Sequence, residues 1–190
     1  MQEDNETTNR GNGVQQRGRL AFYHPNGKGS GTALQIELRL QRPGEKRQNC
    51  MFFEMARQKT TATRDANGRT PATFDWAGKA TVKMDVFDLC ELLAVLEGRC
   101  AQAGGARDGL YHESGGADTI ISFKRCAEPA GYLLGISRRG RDGAVLFRGQ
   151  IVLSEAEAIG LRCVLQASLF PMTLGAGFVP RPDAVVAAEA

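Results

Sequence analysis

Residues 22–24 read Phe22-Tyr23-His24, and residues 110–112 read Leu110-Tyr111-His112. These two stretches contain the only histidines of the chain. Each is followed by a glycine-containing turn and then by a run with strand periodicity, which spans Thr32–Leu40 in the first copy and Thr119–Arg125 in the second. A landmark that recurs with the same downstream pattern indicates an internal repeat with a period of roughly 70–90 residues.

Four strands are predicted in each half of this repeat. Those of the first half are Ala21–His24, Ala33–Leu40, Met51–Gln58 and Lys79–Met84; those of the second are Leu110–His112, Thr119–Lys124, Tyr132–Ser137 and Val145–Leu153. Polar and apolar residues alternate along several of these runs, most strictly along residues 79–84. Alternation of this kind gives a sheet one apolar face and one polar face, which is typical of antiparallel sheets.

A helix is predicted after the last strand of each half. The first begins at Asp85-Val86-Phe87-Asp88 and the second at Ser154-Glu155-Ala156-Glu157. Ser154 and Glu157 have the spacing of a capping box, and Asp85 with Asp88 is a weaker variant of it. Gly98 is expected to end the first helix and Pro171 the second. The sequence therefore predicts an α+β fold in which a ββββα unit occurs twice, with two four-stranded antiparallel sheets and two principal helices.

Length and composition are those of an ordinary globular protein. The chain has 190 residues, of which 42% are apolar and 24% are charged, and its net charge is +3. One domain is predicted over residues 20–178, with repeat halves at about 20–100 and 108–175. The polar segment 1–19 and the segment 179–190, which is rich in proline and alanine, are predicted to be disordered tails.

The sequence contains no apolar run of the ~18–20 residues that a membrane helix needs, and its polar start does not resemble a signal peptide. We therefore expect a cytoplasmic protein without a membrane partner, and association with a nucleoid is compatible with this. The five cysteines form no Cys-x-x-Cys pair, so neither a disulfide framework nor a zinc site is predicted. Cys90 and Cys163 fall in apolar stretches and are predicted to be small core residues.

Motifs of common enzyme classes are missing from the sequence. The segment Gly27–Thr32 lacks the order of a phosphate-binding P-loop, and neither a Gly-x-Ser-x-Gly elbow nor a His-Glu-x-x-His motif occurs. His24 and His112 have no companion ligands at metal-site spacing, which favours structural or hydrogen-bonding roles. The sequence thus predicts no catalytic residue, no cofactor and no metal.

Three short segments add a resemblance to these patterns. Phe74-Asp75-Trp76 stands before the first helix, Leu110-Tyr111-His112-Glu113 opens the second half, and Gly29–Leu34 lies on an early strand. They resemble, in order, the Tyr-Asp-Trp, aromatic-aromatic-His-Asp and Lys-Gly-Lys-Ala-Ala-Leu motifs of the Whirly family, although the two lysines of the last motif are absent. The closing segment, a capped helix followed by Phe170–Gly175, is also similar, so the resemblance spans about Phe22 to Gly175.

The resemblance to the Whirly family implies a fold, an assembly and a ligand. It implies two blade-like sheets, helices that assemble a homotetramer with four-fold symmetry, and single-stranded DNA or RNA held along the sheet edges between protomers. Trp76 is then expected to be structural or to lie at a seam between protomers.

Binding of single strands needs cations for the phosphates and flat side chains for the bases. The candidate cations lie on the polar strand faces and in the turns: Lys28, Arg39, Arg57, Lys59, Lys79, Lys83, Lys124, Arg138, Arg139 and Arg148. The candidate stacking residues are Phe22, Tyr23, Phe52 and Tyr111.

The function predicted from the sequence is binding of single-stranded nucleic acid, with DNA favoured over RNA and with little sequence specificity. Two alternatives stay open. One is a module for protein interaction or assembly that uses the duplicated sheets as a docking surface. The other is an RNA-binding protein or RNA chaperone built on the same fold.

Overall fold

The computed structural model describes residues 18–41, 46, 48–65 and 68–175. In chain order the strands and helices are β1 (Arg19–His24), β2 (Thr32–Arg39), β3 (Cys50–Thr60), β4 (Thr63–Asp65), β5 (Gly68–Thr70), β6 (Thr73–Phe74), β7 (Ala80–Met84), α1 (Val86–Leu96), β8 (Leu110–Ser114), β9 (Ala117–Cys126), β10 (Gly131–Gly140), β11 (Val145–Leu153) and α2 (Glu155–Leu174). A short 3-10 helix over Gly105–Arg107 precedes β8.

The two halves share one topology. The first sheet has the order β1-β2-β3-β7 and the second the order β8-β9-β10-β11, and neighbouring strands are antiparallel in both. A helix follows the last strand of each sheet. The predicted α+β fold with a repeated ββββα unit is therefore confirmed.

The first half also contains an insertion that the strand periodicity did not predict. Between β3 and β7 the chain forms the separate hairpin β4–β5 and then β6, which pairs with the far end of β3 and becomes a fifth strand of the first sheet. Most described residues of this insertion are exposed. Strands of two or three residues that bury little apolar surface leave no alternating apolar signal in the sequence.

Both helices begin with the predicted capping boxes. The side chain of Asp85 accepts hydrogen bonds from the amides of Phe87 and Asp88, and Asp88 accepts one from the Asp85 amide. Ser154 and Glu157 make the reciprocal pair at α2. The first helix ends as predicted before Gly98, whose φ of 71° is costly for other residues.

The predicted end of α2 at Pro171 is wrong, because the helix continues to Leu174. Proline removes only one amide donor here, and the last turn has other support. The side-chain amide of Asn49 donates hydrogen bonds to the carbonyls of Pro171 and Met172 over 3.3 and 3.0 Å. Gly175, with a φ of 86°, then ends the helix.

Cys90 and Cys163 are not core residues, which corrects a second prediction. Both thiols are free and exposed on the outer faces of α1 and α2. The buried stripe of α1 contains Leu89 and Leu93. Cys90 comes one position after Leu89, so its side chain is turned by about 100° from that stripe. An apolar stretch in a helix therefore did not distinguish the inner from the outer face.

The core is one cluster that joins the inner faces of both sheets and both helices. Strand β11 packs against β2 and β3, α1 packs against β9, and α2 packs against β1, β10 and β11. Gly149 permits the close approach of β11 to β3, since a Cβ atom there would lie 2.9 Å from the sulfur of Met55. No helix in the described ranges is long and apolar enough to span a bilayer.

The predicted tails lie largely outside the described residues. The exceptions are Gly18 and Arg19, and Arg19 belongs to β1, so the predicted boundary after residue 19 lies inside a strand.

Candidate nucleic-acid interface

A cleft of about 970 Å³ is lined by residues of both sheets, from the end of β3 and from β9, β10 and β11. We call it the inter-sheet cleft. It brings together four of the predicted cations, Arg57 and Lys59 from β3, Arg139 from β10 and Arg148 from β11. Asp75 is the one carboxylate residue that lines the cleft. Within the described ranges none of the four cations forms an ion pair, so the cleft carries an uncompensated positive charge.

Arg57 is held in place by an aromatic ring. Its guanidinium lies 5.4 Å from the ring centroid of Phe147, which is buried. A cation–π contact restrains the side chain and leaves the guanidinium N–H groups in its plane available to phosphate oxygens. Arg57 is thus an exposed cation whose position is already set.

The loop between β1 and β2 forms one rim of the cleft through residues 29–32, and the side chain of Gln58 holds this loop. Its Oε1 accepts hydrogen bonds from the amides of Asn26 and Gly31 over 2.8 and 3.0 Å. Its Nε2 donates to the carbonyls of Asn26 and Thr60, both over 3.0 Å. Gly31 is required because a Cβ atom there would collide with Gln58 and with the carbonyl of His24.

Gln58 was missed by sequence reasoning. It lies at the end of a predicted strand as one of several polar residues, and no motif separates it from the others. Its side chain is nevertheless only 8% exposed. Its role comes from contacts across 27 and 32 residues of sequence, which periodicity cannot detect.

Two further predicted cations lie beside the cleft. Lys28 is in the exposed turn next to the Gly29–Thr32 rim, where the side chain of Asn26 accepts a hydrogen bond from the Lys28 amide. Lys124 follows Ile120 and Ser122 along β9 at alternate positions, so it lies on the strand face that lines the cleft, beyond the cleft itself. Both are exposed.

Arg138 points away from the cleft, although it was predicted together with Arg139. Successive residues of a strand face opposite sides. Arg139 lines the cleft, whereas Arg138 lies opposite the buried Thr119 of β9. Arg138 instead donates a hydrogen bond to the carbonyl of Ser114 and holds the turn after β8. The two neighbouring arginines therefore lie on opposite faces of the sheet.

The predicted aromatic residues also separate. Phe22 is a core residue, 6% exposed, so the prediction that it stacks on bases is wrong. It lies opposite Leu34 on the inner face of the first sheet, and that face is covered. Tyr23, the next residue, is 51% exposed on the outer face.

Tyr111 lies at the margin of the inter-sheet cleft and is 53% exposed. It is opposite Ile120 in the register, and Ile120 lines the cleft. Its hydroxyl donates a 2.6 Å hydrogen bond to Asp118, which raises the pKa of Tyr111. The ring is thus fixed at the edge of the second sheet as a flat surface.

An aromatic cluster lies next to the cleft. The ring centroid of Tyr23 is 5.7 Å from that of Phe74 and 6.4 Å from that of Trp76. The three rings line a groove of about 530 Å³ together with Pro25, Arg69 and neighbouring residues. Asp75 lines the cleft, and its neighbours Phe74 and Trp76 line this groove. The tripeptide Phe74-Asp75-Trp76 therefore separates the inter-sheet cleft from the aromatic groove.

The remaining predicted residues lie on the outer face of the first sheet. Lys79 forms a 2.7 Å ion pair with Glu54. Arg39, Phe52 and Lys83 line a separate pocket of about 340 Å³ with Lys46, Gln48 and Cys50. We call it the outer-face pocket; it shares no residue with the inter-sheet cleft.

The two histidines make hydrogen-bonded pairs that cross between the halves. Nε2 of His24 lies 2.6 Å from Oε1 of Glu157, and Nε2 of His112 lies 3.2 Å from Oδ1 of Asp88. Each histidine thereby contacts the capping box that begins the helix of the other half. The predicted hydrogen-bonding roles are confirmed, and no three potential metal ligands gather among the residues that the structure describes.

Burial and hydrogen bonding act differently on the two carboxylates. Burial raises the pKa of Glu157, but hydrogen bonds from His24 and Ser154 outweigh it and hold that pKa below its ordinary value. At Asp88 burial is the larger effect and raises the pKa, while bonds from the Asp85 amide and His112 oppose it only in part.

Comparison with known proteins finds similar structures but no similar sequence. No family model and no curated protein sequence matches the chain. WHY1 from Arabidopsis thaliana has a similar structure, with a TM-score of 0.64 over 92% of this chain and 94% of that chain, at 14% identity. The MRP1/MRP2 proteins of Trypanosoma brucei match with a TM-score of 0.57 over 84% of this chain and 89% of that chain, at 18% identity.

A third similar structure is a guide-RNA-binding protein complex bound to a guide RNA. It matches with a TM-score of 0.55 over 87% of this chain and 97% of that chain, at 19% identity. At identities this low, structural likeness defines the fold, so this chain has a Whirly-like fold, as the short motifs predicted.

Proposed function

We propose that this protein binds single-stranded nucleic acid along the inter-sheet cleft, with little sequence specificity. The observation that carries the proposal is the convergence of Arg57, Lys59, Arg139 and Arg148, unpaired within the described residues, around a groove with one carboxylate. Such a groove favours a polyanion, and release of condensed counterions would drive its binding. The similar structure of a guide-RNA-binding complex supports the same class of ligand.

Single strands fit this arrangement better than duplexes. Tyr111 at one margin and the ring of Tyr23 beyond the other rim are flat exposed surfaces on which unstacked bases can lie. Stacking of this kind is worth ~1–3 kcal/mol per base and does not depend on base identity. A duplex keeps its bases stacked inside and offers only its phosphates. We propose DNA as the preferred strand, as the resemblance to Whirly proteins implies, with RNA as the alternative.

We further propose that the protein works as a homotetramer assembled through its helices. Outer residues of both helices are apolar and exposed, including Phe87 on α1 and Ile159 and Leu174 on α2. An exposed apolar helix face is typical of a protein–protein interface. A tetramer would present four clefts, and one long strand that occupies several of them would bind with higher avidity.

The test is fluorescence anisotropy with a labelled single strand of about 30 nucleotides at several salt concentrations. We expect submicromolar affinity that falls with salt, and little displacement by duplex. The double variant Arg139→Gln/Arg148→Gln should weaken binding and flatten the logarithmic salt slope by about 0.7 for each lost phosphate contact. Arg99→Gln/Arg107→Gln, which removes two charges from exposed arginines that do not line the cleft, is the matched control.

Two outcomes would contradict the proposal. Wild-type protein that binds no strand at low salt would exclude it and favour a protein-interaction module. Equal loss in the cleft variant and in Arg99→Gln/Arg107→Gln would show that net charge, and not the cleft, binds the strand. Matched RNA as competitor decides between the two kinds of strand.

A further inference from the structure

We propose that the outer-face pocket is a second binding site, independent of the inter-sheet cleft, and that it takes one nucleotide unit, an aromatic base with its phosphate. The pocket is lined by Arg39, Lys46, Gln48, Cys50, Phe52 and Lys83. If the pocket binds a free nucleotide, this proposal does not depend on the proposed function. If the pocket binds one nucleotide of a longer strand, the proposal rests on the proposed function.

The charges on this face of the sheet are distributed unequally. Arg19 pairs with Glu37 over 3.1 Å and Lys79 pairs with Glu54 over 2.7 Å, so most of the outer face is neutralised. Arg39 and Lys83 have no carboxylate partner among the described residues. Two cations that flank one pocket and have no internal partner favour an external anion.

The register of the sheet fixes the geometry of the pocket. Arg39 lies opposite Cys50 on the neighbouring strand, and Lys83 lies opposite Phe52. Directly opposed residues on one face have Cβ atoms about 4.5–5.5 Å apart. The two cations therefore stand on either side of the central strand β3, and Cys50 and Phe52 of that strand form the floor between them.

The floor is apolar and the walls are charged. Phe52 is half-buried, whereas its neighbour Phe53 is fully buried in the core, so Phe52 is the ring turned towards the ligand side. Burial raises the pKa of the Cys50 thiol, and Lys83 and Arg39 oppose that shift, which places both cations near the floor. A neutral floor beside two cations matches a base that rests on Phe52 with its phosphate against Arg39 or Lys83.

Size and position limit the ligand. A volume of about 340 Å³ lies at the small end of the range of roughly 300–1,000 Å³ that small-molecule sites occupy, which suits one nucleotide and not two. Phe52 and the cleft residue Arg57 are five positions apart on β3, about 17 Å along the strand, and they lie on opposite faces of it. The two sites can therefore be altered separately.

The experiment measures binding of a fluorescent analogue of adenosine triphosphate to the full-length protein. We expect Phe52→Leu and Lys83→Gln each to weaken its binding by roughly ten-fold, because each removes one of two recognition elements. Lys79→Gln is the matched control, a lysine on the same face whose charge Glu54 already neutralises. The cleft variant Arg139→Gln/Arg148→Gln should leave binding of the analogue unchanged. Thermal unfolding of each variant verifies that it is folded.

A second arm tests a nucleotide within a strand, with single-stranded DNA of about 8 and about 30 nucleotides. If the analogue does not bind, but Phe52→Leu and Lys83→Gln weaken the long strand and not the short one, the pocket takes a nucleotide of the bound strand. If both variants leave the analogue and both strands unaffected, or if Lys79→Gln has the same effect as Lys83→Gln, the second site is excluded. The cleft variant reports separately on the proposed function.

Discussion

The side-chain amide of Gln58 is buried and makes four hydrogen bonds. Its Oε1 accepts two of them and its Nε2 donates two. Two of these bonds are donated by Nε2 to backbone carbonyls, and an isosteric carboxylate cannot replace them. A buried acceptor left without a donor costs about 1–3 kcal/mol. The loop that forms the rim of the cleft thus depends on the chemistry of one residue and not only on its shape.

We predict that Gln58→Glu destabilises the protein by about 2–3 kcal/mol and weakens strand binding, because the carbonyls of Asn26 and Thr60 lose their donor. Urea unfolding and the anisotropy assay measure the two effects. Gln35→Glu is the control, since the hydroxyl of Tyr23 can donate to the new carboxylate and Arg19 still pairs with it. Equal losses in both variants would contradict a special role for Gln58.

Single residues also show where sequence reasoning stops. Alternation placed Lys79 and Lys83 on the polar face of residues 79–84 correctly, because one strand determines its own two faces. It could not show that Glu54 neutralises Lys79 while Lys83 has no partner among the described residues, since those contacts cross between strands. Phe22 was misassigned because an aromatic residue in a strand has the same local pattern on either face.

The two helices are fixed at their first turns by histidines from the opposite half of the chain. His24 of β1 contacts Glu157 at the start of α2, and His112 of β8 contacts Asp88 at the start of α1. The two carboxylates occupy equivalent positions of the repeat, yet their pKa values are displaced in opposite directions. The two helix starts should therefore respond oppositely to acid.

The sign follows from linkage between ionisation and stability. A carboxylate whose pKa is lowered by folding stabilises the protein above its unfolded pKa, near 4.3 for Glu, and this contribution is lost as pH falls through the lower folded value. We expect Glu157→Gln to cost about 1–2 kcal/mol near neutral pH and less at a pH of about 3. Asp88→Asn should cost less near neutral pH than at a pH of about 3. In the wild type the buried Asp88 carboxylate is charged at neutral pH, which is unfavourable, and protonation in acid removes that charge.

Urea unfolding of the wild type and both variants between pH of about 7 and about 3 makes this comparison. The two substitutions remove the same charge at the same helix position, so each serves as the control for the other. If the loss of stability has the same pH profile in both variants, the His24–Glu157 and His112–Asp88 pairs are equivalent. That result would contradict pKa values displaced in opposite directions.

At the scale of the whole molecule, the described residues form one core and several separate surfaces. The cleft, the aromatic groove and the outer-face pocket surround the sheets, while the exposed apolar residues of the helices lie elsewhere. The overall fold could be predicted because the repeat, the two caps and the strand alternation all indicate the same ββββα unit. The cleft could not be predicted, since it forms only where β3 meets β10 and β11, strands that are far apart in sequence.

We predict that the double variant Phe87→Glu/Ile159→Glu is monomeric, because it places charge on the outer faces of both helices. These side chains are 80% and 56% exposed in the protomer, so the variant should fold normally. Sedimentation velocity measures the mass, and the anisotropy assay should show a weaker affinity for a long strand through lost avidity. Tyr111→Ala removes an exposed aromatic residue from a sheet and should stay oligomeric. A wild-type monomer, or a variant of unchanged mass, would exclude the helix faces as the interface.

The crossed contacts of His24 and His112 have a consequence for the history of the chain. A polypeptide with only one half would have a helix start without its histidine and a histidine without its carboxylate. Two copies of such a half would satisfy each other through the same pair used twice, as a two-fold symmetric dimer. The present chain makes both of these contacts within one polypeptide, where the two halves are free to differ, as Asp88 differs from Glu157 and as β7 with its insertion differs from β11.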